Sequence, residues 1–394
     1  MMKLFMVCLV VMGSWVREWG VMANADISVV QGDNSEYFKL LCRIYNVAHY
    51  PPIKPVDTKE YQKIVDDIDA LRVAANGKEG VNTQSEEARS AQTQLTSITR
   101  EAHKLLDAIK KVNPEGEEGK ARNTFNQVIF GKNGKEEDLS HEALEVVDSR
   151  MAACGGKHQV ATSAGKNLVV DFFCLCAQHD KVNEGVDNVC GVSVGSGDGA
   201  GWGQKLVSPD TMWKEIKNGC GKFAQQGVTS TQTGYSLYHE FLAQVTAGGN
   251  VKVNKSGIFP KHGMLGTAVS KKGNTDFKCN GQSSTNRLSG SGSCVIYGDQ
   301  HQEENIAWLK KFKEGLQLID EFNTKTAPWQ SKLTTLQEQA KALYGKTRAT
   351  SSLENEDTDD SPLAQHPNSD ENENADSTTR SQRHSLLAWA LLLQ

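Results

Sequence analysis

The chain of 394 residues lacks the run of about 20 apolar residues that a membrane-crossing helix needs. Apolar runs at residues 4–12 and 386–393 are far shorter. It also lacks a charge excess: 43 Lys plus Arg face 48 Asp plus Glu, with no basic stripe to argue for nucleic acid or an anionic membrane surface. No G-x-x-x-x-G-K phosphate loop occurs, and no cysteine is left over as a nucleophile. These absences leave no catalytic constellation, metal set or cofactor motif, and they turn attention to the two ends of the chain.

At the start, Lys3 precedes the apolar stretch LFMVCLVVM (4–12), and Ala23-Asn24-Ala25 forms an A-x-A cleavage site that leaves Asp26 as the mature N-terminus. At the other end a polar spacer runs into the eight apolar residues 386–393. Behind a secretory leader, such a tail is expected to be a glycosylphosphatidylinositol (GPI) attachment signal. Ser377, followed by Thr378 and Thr379, is the expected attachment residue, with Asp376 and Asn374 as competitors. The expected location is therefore the outer leaflet of the plasma membrane.

Nine cysteines are present, and Cys8 leaves with the leader. The remaining eight, Cys42, Cys154, Cys174, Cys176, Cys190, Cys220, Cys279 and Cys294, imply four disulfides in a secreted chain, with 105 possible pairings. Seven lie between 154 and 294, so the bridges are expected to hold a loop-rich middle. Cys174 and Cys176 are expected to staple different segments to one strand or turn. Asn254-Lys255-Ser256 is an N-glycosylation sequon that places Asn254 on an exposed loop if used.

Helical periodicity flanks that middle. Residues 35–47 form one amphipathic helix before Pro51-Pro52, and Tyr61, Ile64, Val65, Ile68 and Leu71 continue the period. Ala88, Ala91, Leu95, Ile98, Ala102, Leu105, Ile109 and Val112 recur in steps of three and four up to Pro114, a heptad seam. A second seam runs through Phe312, Leu316, Ile319, Phe322, Thr326, Trp329, Leu333, Leu336, Ala340 and Leu343. Pro328 within it predicts a kink or a split. A turn and short helix are expected over 133–147, and a loop over 185–203, which holds seven glycines. The predicted fold is mainly α: an elongated antiparallel two-helix coiled coil with a disulfide-rich loop lobe, dimeric through any apolar face left over. Residues 351–377, with nine acidic residues and no Lys or Arg, read as a flexible stalk. The expected organisation is leader 1–25, helical domain 26–345, stalk 346–377 and removed signal 378–394.

Three motifs carry less than they suggest. Gly195-Ser196-Gly197-Asp198-Gly199-Ala200 fits the dinucleotide fingerprint, but no apolar strand precedes it and no helix follows. His239-Glu240 begins H-E-x-x-H, but Ala243 fills the second ligand position. Cys174, Cys176 and His179 are metal-ligand types, yet an even cysteine count in an oxidising compartment favours disulfides.

In this combination the chain resembles the variant surface glycoproteins that coat African trypanosomes, with Asn167-Leu168-Val169-Val170-Asp171-Phe172-Phe173-Cys174-Leu175-Cys176 as the mid-chain cysteine motif. No cysteine follows Cys294, so it resembles the branch in which a short stalk replaces a cysteine-rich C-terminal domain. The resemblance implies a non-enzymatic, GPI-anchored homodimer without cofactors, which forms a dense coat, meets host antibodies and serves antigenic variation and immune evasion. The alternative it implies is a related receptor for a host serum protein of the transferrin or haptoglobin-haemoglobin type. It also implies a Cys42–Cys154 bridge, and it leads us to expect residues 185–203 and the Asn254 region on the antibody-facing surface.

Overall fold

A computed structural model describes residues 27–353 apart from 77–84, 146, 148, 157–158, 182, 197–199, 224–229, 255, 272–275, 285–289 and 300–301. The leader, the tail signal with Asn374, Asp376 and Ser377, and residues 354–377 of the acidic segment lie outside the described residues.

Ten α-helices and seven strands are described. The first four helices are α1 (Ser35–His49), α2 (Thr58–Asn76), α3 (Glu86–Val112) and α4 (Pro114–Phe130). A 3-10 turn (Glu136–Asp138) and a π turn (Leu139–Ala143) follow, then α5 (Arg150–Cys154) and α6 (Leu168–Cys176). A small ribbon of β1 (Gly201–Trp202) and β2 (Leu206–Val207) leads to α7 (Pro209–Gly221) and α8 (Thr231–Ala247). Strands β3 (Gly249–Val253), β4 (Gly257–Lys261), β5 (Met264–Ser270), β6 (Phe277–Lys278) and β7 (Gly290–Ile296) precede α9 (Gln302–Asn305) and the last helix, α10 (Ala307–Leu353).

Local chemistry sets the helix ends. The Ser85 side chain caps α3 by accepting from Ala88 N at 3.2 Å. Glu86 and Glu87 occupy the first turn and Lys110 and Lys111 the last, each sign facing the helix-dipole end it complements. Asn113, at φ 51°, takes the left-handed conformation that ends α3, and Pro114 then starts α4.

The first seam is buried at Ala88, Ala91, Leu95, Thr99, Ala102, Leu106 and Ile109. Ile98 and Leu105 are half-buried beside it, because a 3.6-residue helix drifts against a strict 3.5-residue repeat. The second seam is buried at Phe312, Leu316, Ile319, Phe322, Thr326, Leu333, Leu336 and Ala340. The two do not close on each other alone. One core is shared by Tyr61, Val65 and Ile68 of α2, Leu95, Ala102, Leu106 and Ile109 of α3, and Leu333, Leu336 and Ala340 of α10. Where a pair was expected there is a three-helix bundle. Lys110 Nζ reaching Gln62 and His103 reaching Asp69 make α2 and α3 antiparallel, and Gln337 reaching Asp67 while Gln330 reaches Pro55 makes α2 and α10 parallel.

Pro328 does not split α10, which is continuous over 47 residues, about 70 Å at 1.5 Å per residue. Pro328 and Thr324 are both exposed, so the carbonyl that loses its helical donor faces water. Further up, α10 crosses into the larger core. There Phe125 of α4 meets Phe312 edge to face at 5.9 Å, and a Cβ at Gly315 would come within 2.8 Å of the Phe125 ring.

The middle of the chain is more ordered than a loop lobe. It holds a five-stranded sheet in the order β4-β3-β5-β7-β6, with β3/β5 and β6/β7 parallel and the other pairs antiparallel. All of β5 is buried and all but the last residue of β7, with α6 against β7 and α8 against β5.

Because Leu333 is fully buried where three helices meet, Leu333→Ala is expected to cost about 2–5 kcal/mol in urea unfolding. Thr335→Ala, on the exposed face, should stay within about 0.5 kcal/mol. Equal effects of the two would contradict the three-way packing.

Candidate functional surface: a clamped helix and the loops it holds

The buried polar chemistry of this fold holds one helix. All nine residues of α6 are buried, including a carboxylate. Asn167 caps its start, accepting from Val170 N at 2.9 Å while its Nδ2 donates to Ala143 O at 2.9 Å. Asp171, one turn in, accepts from Gly165 N at 2.9 Å, from Trp308 Nε1 at 2.6 Å and from Tyr297 Oη at 2.9 Å. Those three donors come from the preceding loop, the start of α10 and the end of the sheet. Trp308 N also donates to Gly165 O at 3.1 Å. Burial pushes the Asp171 carboxyl up to about 7, with the three donors pulling the other way, and burial next to Asp171 holds the Tyr297 phenol well above its ordinary value.

Arg150, the first residue of α5, closes the other end of α6. Its Nη2 donates to Cys174 O at 2.9 Å, and its Nη1 donates to Ala177 O at 2.6 Å and Trp202 O at 3.4 Å. A guanidinium forks across several carbonyls at once, and a cation suits a helix C-terminus. Complete burial lowers its pKa to about 9, only partly offset by Asp180, and the ring of Trp202 lies 5.9 Å from the guanidinium carbon. The space is made by Gly281, at φ 80°, where a Cβ would fall 2.1 Å from Nη1. Asn34 adds a third clamp, its Nδ2 donating to Leu175 O at 2.9 Å and Ser293 O at 2.8 Å.

All eight expected cysteines are paired: Cys42–Cys220, Cys154–Cys174, Cys176–Cys190 and Cys279–Cys294. The Cys42–Cys154 bridge implied by the family resemblance is therefore corrected. Cys42 on α1 faces the end of α7 with its Cα 4.9 Å from that of Cys220, whereas Cys154 ends α5 beside α6, 5.6 Å from Cys174 by the same measure. Cys174 and Cys176 do staple different segments, but on a helix. Two residues apart on α6 they point to opposite sides, one to α5 and one to the loop at Cys190. Oxidised in this way, neither is available as a metal ligand.

The remaining predicted positions scatter. Asn254 lies in the turn between β3 and β4, its side chain half-exposed. In segment 185–203, Val189, Cys190, Val194 and Trp202 are buried while Asp187, Gly191, Ser193 and Ser196 are exposed, so the loop is anchored from within. Gly195 N donates to Glu215 Oε2 at 2.7 Å, a carboxylate where a dinucleotide would put phosphate. Glu240 is held by Arg43 at 2.8 and 2.9 Å. His179 has Asp180 at 3.1 Å and Glu184 at 3.9 Å, and burial lowers its pKa. Among the described residues no group of three His, Cys, Asp or Glu is placed to hold a metal, and no helix is long and apolar enough to cross a membrane. Edge strand β4 shows Ile258 and Phe259, 58% and 47% exposed, next to Pro260, which blocks further strand pairing.

The family described as the trypanosomal VSG domain matches the chain over residues 72–338. The chain belongs to this family. No curated protein matches it. The VSG match begins near the end of α2 and stops within α10, so it takes in α3, α4, the sheet and seven of the eight paired cysteines, and leaves out α1 and the α2 core residues Tyr61, Val65 and Ile68. Membership places the chain among the surface-coat proteins of trypanosomes, as a variant surface glycoprotein. In this VSG the residues that sequence reading missed are Arg150 and the role of Asp171; the latter had a signal, a lone acid inside the apolar run LVVDFFCLC.

Two outcomes follow from the clamps. Arg150→Met leaves the carbonyls of Cys174 and Ala177 buried without donors and should cost about 3 kcal/mol in urea unfolding with the disulfides intact; an unchanged midpoint would contradict the clamp. Asp171 has its folded pKa raised to about 7 from an ordinary value near 4, so its contribution to stability is full below about pH 4 and is lost as pH rises toward 7. Asp171→Asn should be less stable at the outset, since its amide meets the Trp308 Nε1–H, but its stability should fall less between pH 4 and 7. Parallel profiles for the two proteins would show that Asp171 does not titrate in that window.

Proposed function

We propose that this VSG-domain protein acts without catalysis, as a GPI-anchored homodimer packed into a dense cell-surface coat that screens the membrane from host antibodies and varies antigenically. The observation that carries this reading is the family match over residues 72–338, from the end of α2 into α10. The leader and the apolar tail preceded by Ser377 agree with it. The geometry also favours an upright subunit. The first part of α10 is buried in the larger core and its later part in the three-helix core, after which the chain continues toward the acidic stalk and attachment residue. An anchor at that end puts the bundle near the membrane and the disulfide-bonded lobe, with segment 185–203 and Asn254, away from it. Two fatty chains on one anchor hold such a protein stably, which a single chain does not. No feature of the structure favours the serum-protein receptor over the coat.

Phospholipase release of the protein from intact cells followed by mass spectrometry tests the anchor. The expected product begins at Asp26, ends at Ser377 with an ethanolamine-linked inositol glycan, and carries the four bridges above. A product that keeps residues 386–393, or that stays on the cells after phospholipase treatment, would overturn the anchored-coat reading.

A further inference from the structure

A cavity of about 550 Å³ lies where the end of α4, the π turn, the loop before α6 and the first turns of α10 converge. Among the described residues four lysines line it, Lys132, Lys166, Lys310 and Lys311, and one acid, Glu145. Lys311 is paired with Glu314 at 2.7 Å. Lys132, Lys166 and Lys310 are exposed and form no ion pair among the described residues. Lysines gathered around one concavity raise its positive potential, which favours entry of a counter-charge and is screened by salt.

Their placement sharpens the point. In α3 the chain puts acids at the positive end of the helix dipole and lysines at the negative end. Here it does the reverse: Lys310 and Lys311 stand within the first turns of α10, whose first turn holds no acid, and Lys166 directly precedes the cap of α6. The wall also contains Ser163, 2% exposed, whose hydroxyl meets Thr162 Oγ1 at a long 3.4 Å. A buried hydroxyl and the lysine ammonium groups thus gather hydrogen-bond donors around one concavity.

We propose that this cavity binds a small polyanion, a sugar-sized molecule carrying two or more phosphate or sulfate groups. Its volume lies in the range of small-molecule sites. Lysine ammonium groups act as mobile point charges, which suits oxyanions spread around a ring better than one planar carboxylate. This inference does not depend on the coat reading.

Isothermal titration calorimetry on the surface-released protein tests it with two probes, inositol hexakisphosphate and a fully sulfated heparin disaccharide. The expected result is one saturable site per chain, weakened at least tenfold in Lys132→Ala/Lys166→Ala/Lys310→Ala. Affinity should stay within twofold in Lys104→Ala/Lys111→Ala/Lys325→Ala, which removes the same charge from exposed positions elsewhere. A clear preference for one probe identifies a phosphate-bearing or a sulfate-bearing ligand, and equal binding identifies charge alone as the requirement. Removing exposed lysines should leave the unliganded thermal midpoint nearly unchanged; if the triple variant fails to fold, Lys166→Ala and Lys310→Ala are tested singly and each should weaken binding. The proposal is overturned if neither probe gives saturable heat at millimolar concentration, if both triple variants lose affinity equally, or if the single variants bind like the parent.

Discussion

The fold depends on burying a nine-residue helix that carries a carboxylate, against which no described residue sets an opposite charge. In water an isolated helix as short as α6 does not persist, and in the core a bare carboxylate is costly. Both problems have one solution. Gly165, Tyr297 and Trp308 surround Asp171 at the start of the helix, and Arg150 collects carbonyls at its end. Each clamp joins α6 to a different part of the chain, so satisfying the buried polar groups and assembling the lobe are the same event. The two disulfides from α6 reach outward from the same helix, one to α5 and one to the segment at Cys190.

From that hub α10 extends the order downward. Trp308 is both a ligand of Asp171 and the second residue of a 47-residue helix, so the clamp sets where the helix begins and in which direction it leaves the lobe. Past the Phe125–Phe312 contact the helix enters the core it shares with α2 and α3. The bundle end has no disulfide among the described residues, and its stability rests on apolar burial along the seams. The lobe relies on bridges and polar clamps as well. The two ends of one chain are therefore held by different chemistry.

The helical part was legible because its signal repeats. Leu95, Ala102 and Ile109, and Leu333, Leu336 and Ala340, stand at the spacings that a buried stripe requires, and Pro114 marks the end of the first seam. The third partner was harder to see, since Tyr61, Val65 and Ile68 are too few to announce a seam of their own. The sheet was hidden for another reason. Strands such as GSGSCVI are glycine-rich and buried on both faces, so they lack the two-residue alternation that identifies a half-exposed strand. Pro328 misled because its cost depends on which way the freed carbonyl faces, and that is known only once the helix is packed. The cysteine pairing and the carbonyl-binding role of Arg150 are three-dimensional facts with no linear signature.

The clamps share a property that bears on how far the surface of this fold can change. Arg150 binds backbone oxygens of Cys174, Ala177 and Trp202; Asn34 binds those of Leu175 and Ser293; Asn167 binds that of Ala143. A backbone carbonyl is present whatever side chain the position carries, so these contacts constrain the path of the chain without constraining most of the residues along it. The disulfides act in the same way, tying segment 185–203 at Cys190 while leaving Asp187, Ser193 and Ser196 facing solvent. Substitution at such outward positions removes no buried contact and costs little stability. A scaffold that reads backbone from within can therefore present many different surfaces on one fold, whereas one held by side-chain pairs across its surface would lose a contact with nearly every change.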